Sequence, residues 1–464
     1  MQSENDELRL GLNPLERFLR LFARVNAQEG MTSLLLLTNV FLILMAYYFI
    51  KPVREGWLSV SVIADWSKLE VKAYSAFGQS LLLLAILPGY AYLTTILSRR
   101  KLITATGIVS GLFMILFWLL QPGLLTTQVP YSGVAFYIFV GIFGVTLVAQ
   151  FWSFASDLYG QKKGKRLFPL VAIGVSAGAM VGSWAGKELV KIPWLESYDL
   201  ILLALIPLGA GVTLARWIDQ RSATGQISDE QIHRSEEAAV LNSEGAYATI
   251  LRHRYLMATA IMVVLFNWVV TGGDNILFGL VQQAIIEDLS GTTDPALLAR
   301  QINNATTEFY GDLYFWVNLI GLLLQSFVVS RLVQLGGFSL VIMTTPLISL
   351  TAYLSMSLAP LIGMIKLMKV AENSTNYSIH NTARHLLWLP TNKAMLYQAK
   401  TTIETLCFRF GDGLAALTVL LGTRFLDFSL NNFLVFNVVL CGLWAIVSVY
   451  LFREYKVWSR TKFN

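Results

Sequence analysis

Cysteine is nearly absent from this chain of 464 residues, with Cys407 and Cys441 its only two. Both fall inside apolar runs, where a thiol behaves as a small hydrophobe, so neither a disulfide framework nor a cysteine metal site is implied. Histidine is almost as scarce. His233, His253, His380 and His385 show no metal-ligand spacing, and no nucleophile, base and orienting group can be assembled on one segment. No enzyme, metal or cofactor is therefore expected. The stretch "GQKKGKR" has the look of a phosphate-binding loop, but Gly160 and Gly164 stand too close together and Arg166 replaces the Ser or Thr that would hold magnesium. No nucleotide-hydrolysing motor is encoded. Charge is thin as well: 14% of residues are Asp, Glu, Lys or Arg, against 55% hydrophobic, more apolar surface than a water-soluble globule of this length has use for. Residues 1–30 are polar and lack the basic start and small-residue cleavage site of a secretory signal.

What the chain has in abundance is apolar runs of the length that crosses a bilayer, about 20 residues each. They are read at 33–50, 73–97, 102–120, 131–155, 168–187 and 200–217, and again at 255–281, 311–331, 338–358, 361–380, 401–421 and 432–452. The expected fold is thus an all-α membrane protein of about twelve transmembrane helices in two pseudo-symmetric six-helix halves. The expected organisation is a cytoplasmic segment at 1–30, a six-helix bundle at 31–218, a polar cytoplasmic linker at 219–252, and a second bundle at 253–464 with a short cytoplasmic tail. The tenth run is exceptional, because Lys366, Lys369 and Glu372 each cost about 2.5–3.5 kcal/mol at a helix centre. Hydropathy alone would omit it. Lys and Arg counted by loop restore it: with twelve crossings one side carries about 24 and the other about 8, whereas eleven would send the basic C-terminal cluster across the membrane. The net charge of +6 therefore reads as an orientation signal, with both termini cytoplasmic in an inner plasma membrane, rather than as a nucleic-acid footprint.

Charge placed where hydrocarbon would reject it marks the candidate site. At 100° per residue Lys366, Lys369, Asn373, Asn376, Tyr377 and His380 share one face of the tenth helix, with Glu372 at its edge. Such a stripe can line a wet chamber and offer ammonium, amide and imidazole groups to an anion, or it can simply lock helices together. In the eleventh run Lys400 and Glu404 are spaced for an i,i+4 pair, and Arg409 and Asp412 for an i,i+3 pair. The end of the first run, "YYFIKPVREGWL", has a counterpart in the seventh, "FNWVVTGGDNIL". Pro52 in one and Gly272 with Gly273 in the other would interrupt the helices at matching places, setting Glu55 opposite Asp274 beside Lys51 and Arg54. Gly174, Gly178, Gly182 and Gly186, four apart, form a groove for close approach of another backbone.

Four stretches together carry a family resemblance: "YYFIKPVREGWL"; "FWSFASDLYGQKKGKRLF", with Trp152, Asp157, Arg166 and Phe168; "NYSIHNTARHLLWLPTNKAMLYQAKTTIE", with Tyr377, Leu389, Pro390, Lys400 and Glu404; and "RFGDG". Over most of its length the chain resembles the ATP/ADP translocases of plastids and obligate intracellular bacteria and their wider bacterial relatives, which look like major-facilitator proteins. The resemblance implies nucleotide-type exchange by alternating access. It also brings two departures, since the exchangers have a lysine where this chain has Arg54 and another where it has Asp412. These move the local charge by about two units and leave room for another anion, including an amphiphilic or lipid-like one.

The leading expectation is a secondary-active carrier of a small organic anion, nucleotide-like by resemblance, working in the lipid bilayer without nucleic acid; oligomeric state is open, and a monomer suffices. Lys51, Arg54, Lys366, Lys369, Asn373, Asn376, His380 and Arg409 would contact the anion, while Glu55, Asp274, Glu372, Glu404 and Asp412 would carry coupling protons or ion pairs. The alternatives are proton-coupled transport of a different anionic solute, and a scaffold or sensor derived from a transporter that moves nothing.

Overall fold

The structure, a computed structural model, describes residues 13–20, 23, 25–27, 29–124, 131–223, 249–391 and 399–463. Most of the expected linker, at 224–248, lies outside the described residues, as do 1–12 and the 392–398 part of the third resemblance stretch. Apart from short helices at Pro14–Leu19 and Asp199–Leu203, the chain forms α1 (Gly30–Val60), α2 (Lys68–Ile96), α3 (Arg99–Leu119), α4 (Ser132–Leu189) and α5 (Leu205–Ala223). There follow α6 (Arg254–Asp288), α7 (Pro295–Leu323), α8 (Val329–Leu358), α9 (Ile362–Thr375), α10 (Asn381–Leu387), α11 (Phe408–Arg424) and α12 (Leu430–Phe463). Three π-helical turns, Leu324–Val328, Asn376–His380 and Ile403–Cys407, lead into α8, α10 and α11.

Among the described residues ten helical segments are long and apolar enough to cross a bilayer. One of them, Pro295–Leu358, has 64 residues. At about 1.5 Å per residue that is some three times the hydrocarbon thickness, and it is divided at Gly337, whose φ of 57° lies in the left-handed region that glycine tolerates. It therefore supplies two crossings. The segment spanning α9 and α10 fails on composition because of its charges, and with it the twelve expected crossings are present. Conversely the fourth and fifth spans, Ser132–Tyr159 and Arg166–Leu189, follow one another within α4 with no separate loop at "GQKKGKR", and the chain turns back between them, since Gly144 meets Tyr47 and Gly182 meets Met45 of the same helix α1.

The chain forms two compact units. The first gathers Met1–Val62, Leu82–Ile227 and Thr292–Leu319; the second gathers Ile63–Leu81, Ser228–Gly291 and Ile320–Asn464. Helices α2 and α7 thus each give one end to either unit. In the first unit α1 is central, and its tight seam with α4 follows from the glycine stripe. A Cβ at Gly174 would stand 2.5 Å from the carbonyl of Leu37, one at Gly178 2.8 Å from the Cα of Phe41, and one at Gly182 2.6 Å from the carbonyl of Met45. The contact advances four residues at a time along both helices, so the backbones touch as small-residue seams require. On its other side α1 is tied to α5 by the Asn39 amide, which donates to the Gly211 carbonyl at 2.6 Å. At its start Arg166 of α4 donates to both carboxylate oxygens of Glu29 at 2.8 and 3.1 Å. Partial burial pushes the Glu29 carboxyl up, but Arg166 and the Asn26 amide outweigh it and hold the group below its ordinary range. In the second unit α6 packs on α11 and α12, and α8 on α9 and α12.

Candidate functional site

The interrupted helices expected at Pro52 and at Gly272–Gly273 are not found: α1 runs unbroken through Pro52 and α6 through both glycines. In a spanning helix the single hydrogen bond that proline removes can be absorbed by its neighbours. The two glycines serve packing instead. A Cβ at Gly273 would strike the Tyr353 hydroxyl, and one at Gly272 would stand 3.3 Å from the Asn437 amide oxygen. Lys51, Arg54 and Glu55 therefore lie within a continuous helix, each less than a tenth exposed, rather than snorkelling from a helix end.

Their environment in the first unit is aromatic. The Lys51 ammonium lies 4.0 Å from the ring centre of Tyr314, 4.8 Å from that of Tyr48 and 5.8 Å from that of Tyr47. The Arg54 guanidinium sits 4.5 Å from the Tyr137 ring and donates from Nε to Glu55 at 3.0 Å. The spacing explains the grouping, since 47, 48, 51, 54 and 55 are three or four apart and share a helix face, while Tyr137 arrives from α4 and Tyr314 from α7. Tyr47 fits because position 144 on α4 is glycine: a Cβ there would run into the Tyr47 ring. Two cations stand here against one carboxylate. Sequence reasoning found the charges in the stretch that also holds Tyr47 and Tyr48, and missed Tyr137 and Tyr314, which come from helices remote in the chain.

In the second unit Lys369 is wholly buried and surrounded. Its ammonium binds Glu372 at 2.6 Å and Asp274 at 3.1 Å, with the Tyr353 hydroxyl at 3.4 Å. Tyr353 in turn donates to Glu372 at 2.8 Å. Glu372 has no exposure, whereas the Asp274 side chain is 48% exposed. The cluster thus sets one ammonium against two carboxylates, a charge unfavourable to an anion. Lys369 was expected to greet a solute in an open chamber; it is already engaged by these acids, and Lys366 one turn away is half-buried.

The polar stripe on the tenth span also departs from ideal helical spacing. Lys369, Asn373, Asn376 and His380 are buried, but Tyr377 is 49% exposed. The π turn at Asn376–His380 inserts an extra residue's rotation, which a constant 100° step cannot anticipate. His380 stacks on Phe266 with ring centres 3.8 Å apart and planes 17° apart, and meets Trp444 edge-on at 5.6 Å.

"RFGDG" proves to be a joint. Asp412 accepts from Asn267 at 2.6 Å, Thr271 at 2.8 Å, Ser80 at 2.5 Å and Arg409 at 3.1 Å. The flanking glycines let it in: a Cβ at Gly411 would meet Asn267 and the Val264 carbonyl at 2.9 Å, and one at Gly413 would meet the Phe77 ring at 3.2 Å. The Arg409 charge is thereby engaged. Glu404, spaced for Lys400, takes Arg384 of α10 at 3.5 Å and the Trp388 indole at 3.3 Å instead. Among the described residues no group of three His, Cys, Asp or Glu could hold a metal.

Comparison with known proteins agrees with the resemblance drawn from the four stretches. No family model matches the chain. It is 22% identical over 393 residues to ADP,ATP carrier protein 1 of Chlamydia pneumoniae, covering 71% of this chain and 72% of that one. To ADP,ATP carrier protein 3 of Rickettsia bellii it is 20% identical over 370 residues, 69% of each. Among solved structures it is similar to the POT family transporter PepTSo, at TM-score 0.62 and 11% identity, covering 92% of this chain and 98% of the other. It is likewise similar to a bacterial homolog of the human lysosomal transporter Spinster, at TM-score 0.56 and 13% identity over 92% and 97%. The chain has the major-facilitator fold, and these relatives and neighbours are carriers and transporters rather than enzymes.

Proposed function

We propose that this protein is an alternating-access carrier of a nucleotide-type organic anion, with Lys51 and Arg54 as the groups that hold the anionic moiety. One observation carries the reading: two cations, buried at depth in a spanning helix and facing one carboxylate, are held among four tyrosine rings in the first unit. Charge buried in that way is costly unless it serves a polar pathway, and the surplus has the sign an anion needs. The ADP,ATP carriers to which the chain is similar supply the solute class. Arg54 in place of the exchangers' lysine keeps a cation and adds a planar fork suited to phosphate oxygens. We further propose an inner-membrane location, cytoplasmic termini, and a six-plus-six organisation around a linker at 219–252.

Counterflow of labelled ADP into liposomes containing the purified protein and preloaded with ADP tests this. Exchange well above empty liposomes is expected. Lys51→Ala or Arg54→Ala should raise the KM for ADP about tenfold or more, a charged hydrogen bond being worth about 1.5–3 kcal/mol. Monodisperse protein that gives no counterflow would rule out the nucleotide version.

A further inference from the structure

We infer that Asp274 is a proton-binding site that couples the carrier to a proton gradient, by sharing the Lys369 ammonium with Glu372. The inference rests on the carrier reading above and concerns a different part of the molecule. The groups facing this point from the helices packed around it are Lys369 and Glu372 of α9, Asp274 of α6, Tyr353 of α8 and Cys441 of α12. With Lys369 charged and both carboxyls ionised this set sums to one negative charge, beside side chains of Lys369, Glu372 and Tyr353 that are themselves almost completely buried.

A single proton removes that charge, and the geometry says where it goes. Glu372 is sealed, with one oxygen on Lys369 at 2.6 Å and the other accepting from Tyr353 at 2.8 Å. Asp274 makes the longer contact with the ammonium, 3.1 Å, and its side chain is 48% exposed, so it alone of the two acids is open to exchange. A proton taken up on an Asp274 oxygen weakens its pairing with Lys369 and leaves the ammonium to Glu372; loss of the proton restores the shared pair. A metal cation is a poorer fit, because it would sit against the ammonium and, among the described residues, no group of three potential ligands is available.

The exchange has mechanical leverage. Asp274 follows Gly273, which admits the Tyr353 hydroxyl, and the Val269 carbonyl one turn earlier accepts from Asn437 of α12 at 3.1 Å. Helix α6 is thus fastened to α8 and α12 by contacts without net charge, and to α9 through the Lys369–Asp274 pair, the contact a proton can release.

The test uses the full chain in liposomes with the membrane potential clamped at zero and labelled ADP as probe. An inward-acid gradient of one pH unit should drive accumulation approaching tenfold for one proton per cycle. In Asp274→Asn the ratio of gradient-driven accumulation to counterflow should fall about tenfold, and Asp274→Glu should restore it. Accumulation by Asp274→Asn equal to that of the unmodified protein, or robust counterflow by the unmodified protein with no response to the gradient, overturns the proposal. A second measurement does not need the solute: infrared difference spectra between neutral and acidic pH should show a protonated-carboxyl component that appears in the difference between the unmodified protein and Asp274→Asn, one carboxyl among the chain's 29 Asp and Glu. An unchanged carboxyl signal in that variant would overturn the assignment even if ADP proves not to be carried, and absence of counterflow with the component present would sink only the nucleotide reading.

Discussion

At the residue scale, the deciding quantity is how many partners a buried charge has. Asp412 accepts from four side chains on three helices and from the Arg409 guanidinium among them. Removing it strands the Arg409 charge in a largely buried place and takes away the acceptor shared by Ser80, Asn267 and Thr271, although Asn267 keeps its bond to the Phe408 carbonyl; breaking a buried ion pair in this way costs about 3–5 kcal/mol. Asp412→Ala should therefore lower thermal stability in detergent markedly, with Asp412→Asn less damaging because the amide oxygen still accepts. A thermal-shift series on the purified protein reads this, and an Asp412→Ala midpoint equal to that of the unmodified protein would show that the joint is not structural. The i,i+3 spacing of Arg409 and Asp412 was visible in the sequence. Ser80, Asn267 and Thr271 were not, because they are brought in from α2 and α6 by the fold.

At the element scale, the two glycine patterns had different fates. The four-residue stripe on the fifth span was legible because only close backbone contact rewards glycine at every fourth position of a helix, and it meets residues spaced four apart on α1. Graded space along the seam gives a graded expectation. A methyl at Gly178 would press on the Phe41 backbone at 2.8–2.9 Å, whereas at Gly186 the nearest atom is the Phe49 carbonyl at 3.7 Å. Gly178→Ala should thus destabilise by about 1–3 kcal/mol, the usual cost of overpacking, and Gly186→Ala should stay near neutral, as thermal unfolding of the two variants side by side will report. Pro52 and Gly272–Gly273 were read instead as helix breakers, and both helices continue through them, since proline or glycine alone does not reveal whether neighbours can satisfy the released backbone. The π turns at Asn376–His380 and Ile403–Cys407 were invisible for a related reason: any prediction from a fixed 3.6-residue period places Tyr377 beside His380 and Glu404 beside Lys400, and one extra residue per turn undoes it.

At the scale of the whole molecule, the number of crossings turns on the segment that composition rejects. Among the described residues ten segments satisfy length and apolarity, the 64-residue one counts twice because of Gly337, and the helix carrying Lys369 and Glu372 is read as the last crossing because those two charges pair with each other, with Asp274 also on the ammonium and the Tyr353 hydroxyl on Glu372. The basic C-terminal cluster said the same from the sequence, through the distribution of Lys and Arg. A labelling experiment joins the two arguments. Cys407 and the buried Cys441 are replaced first, and single cysteines are then placed at Ser98 between α2 and α3, at Thr293 between α6 and α7, and at Val457 near the end of α12, all exposed positions. In intact cells an impermeant maleimide should reach only the cysteine at 293; those at 98 and 457 should react only after the membrane is opened. Were the helix at Ile362–Thr375 to lie on the surface instead of crossing, 457 would change sides while 98 and 293 kept theirs, so the cysteine at 457 decides whether buried charge is compatible with a true span here.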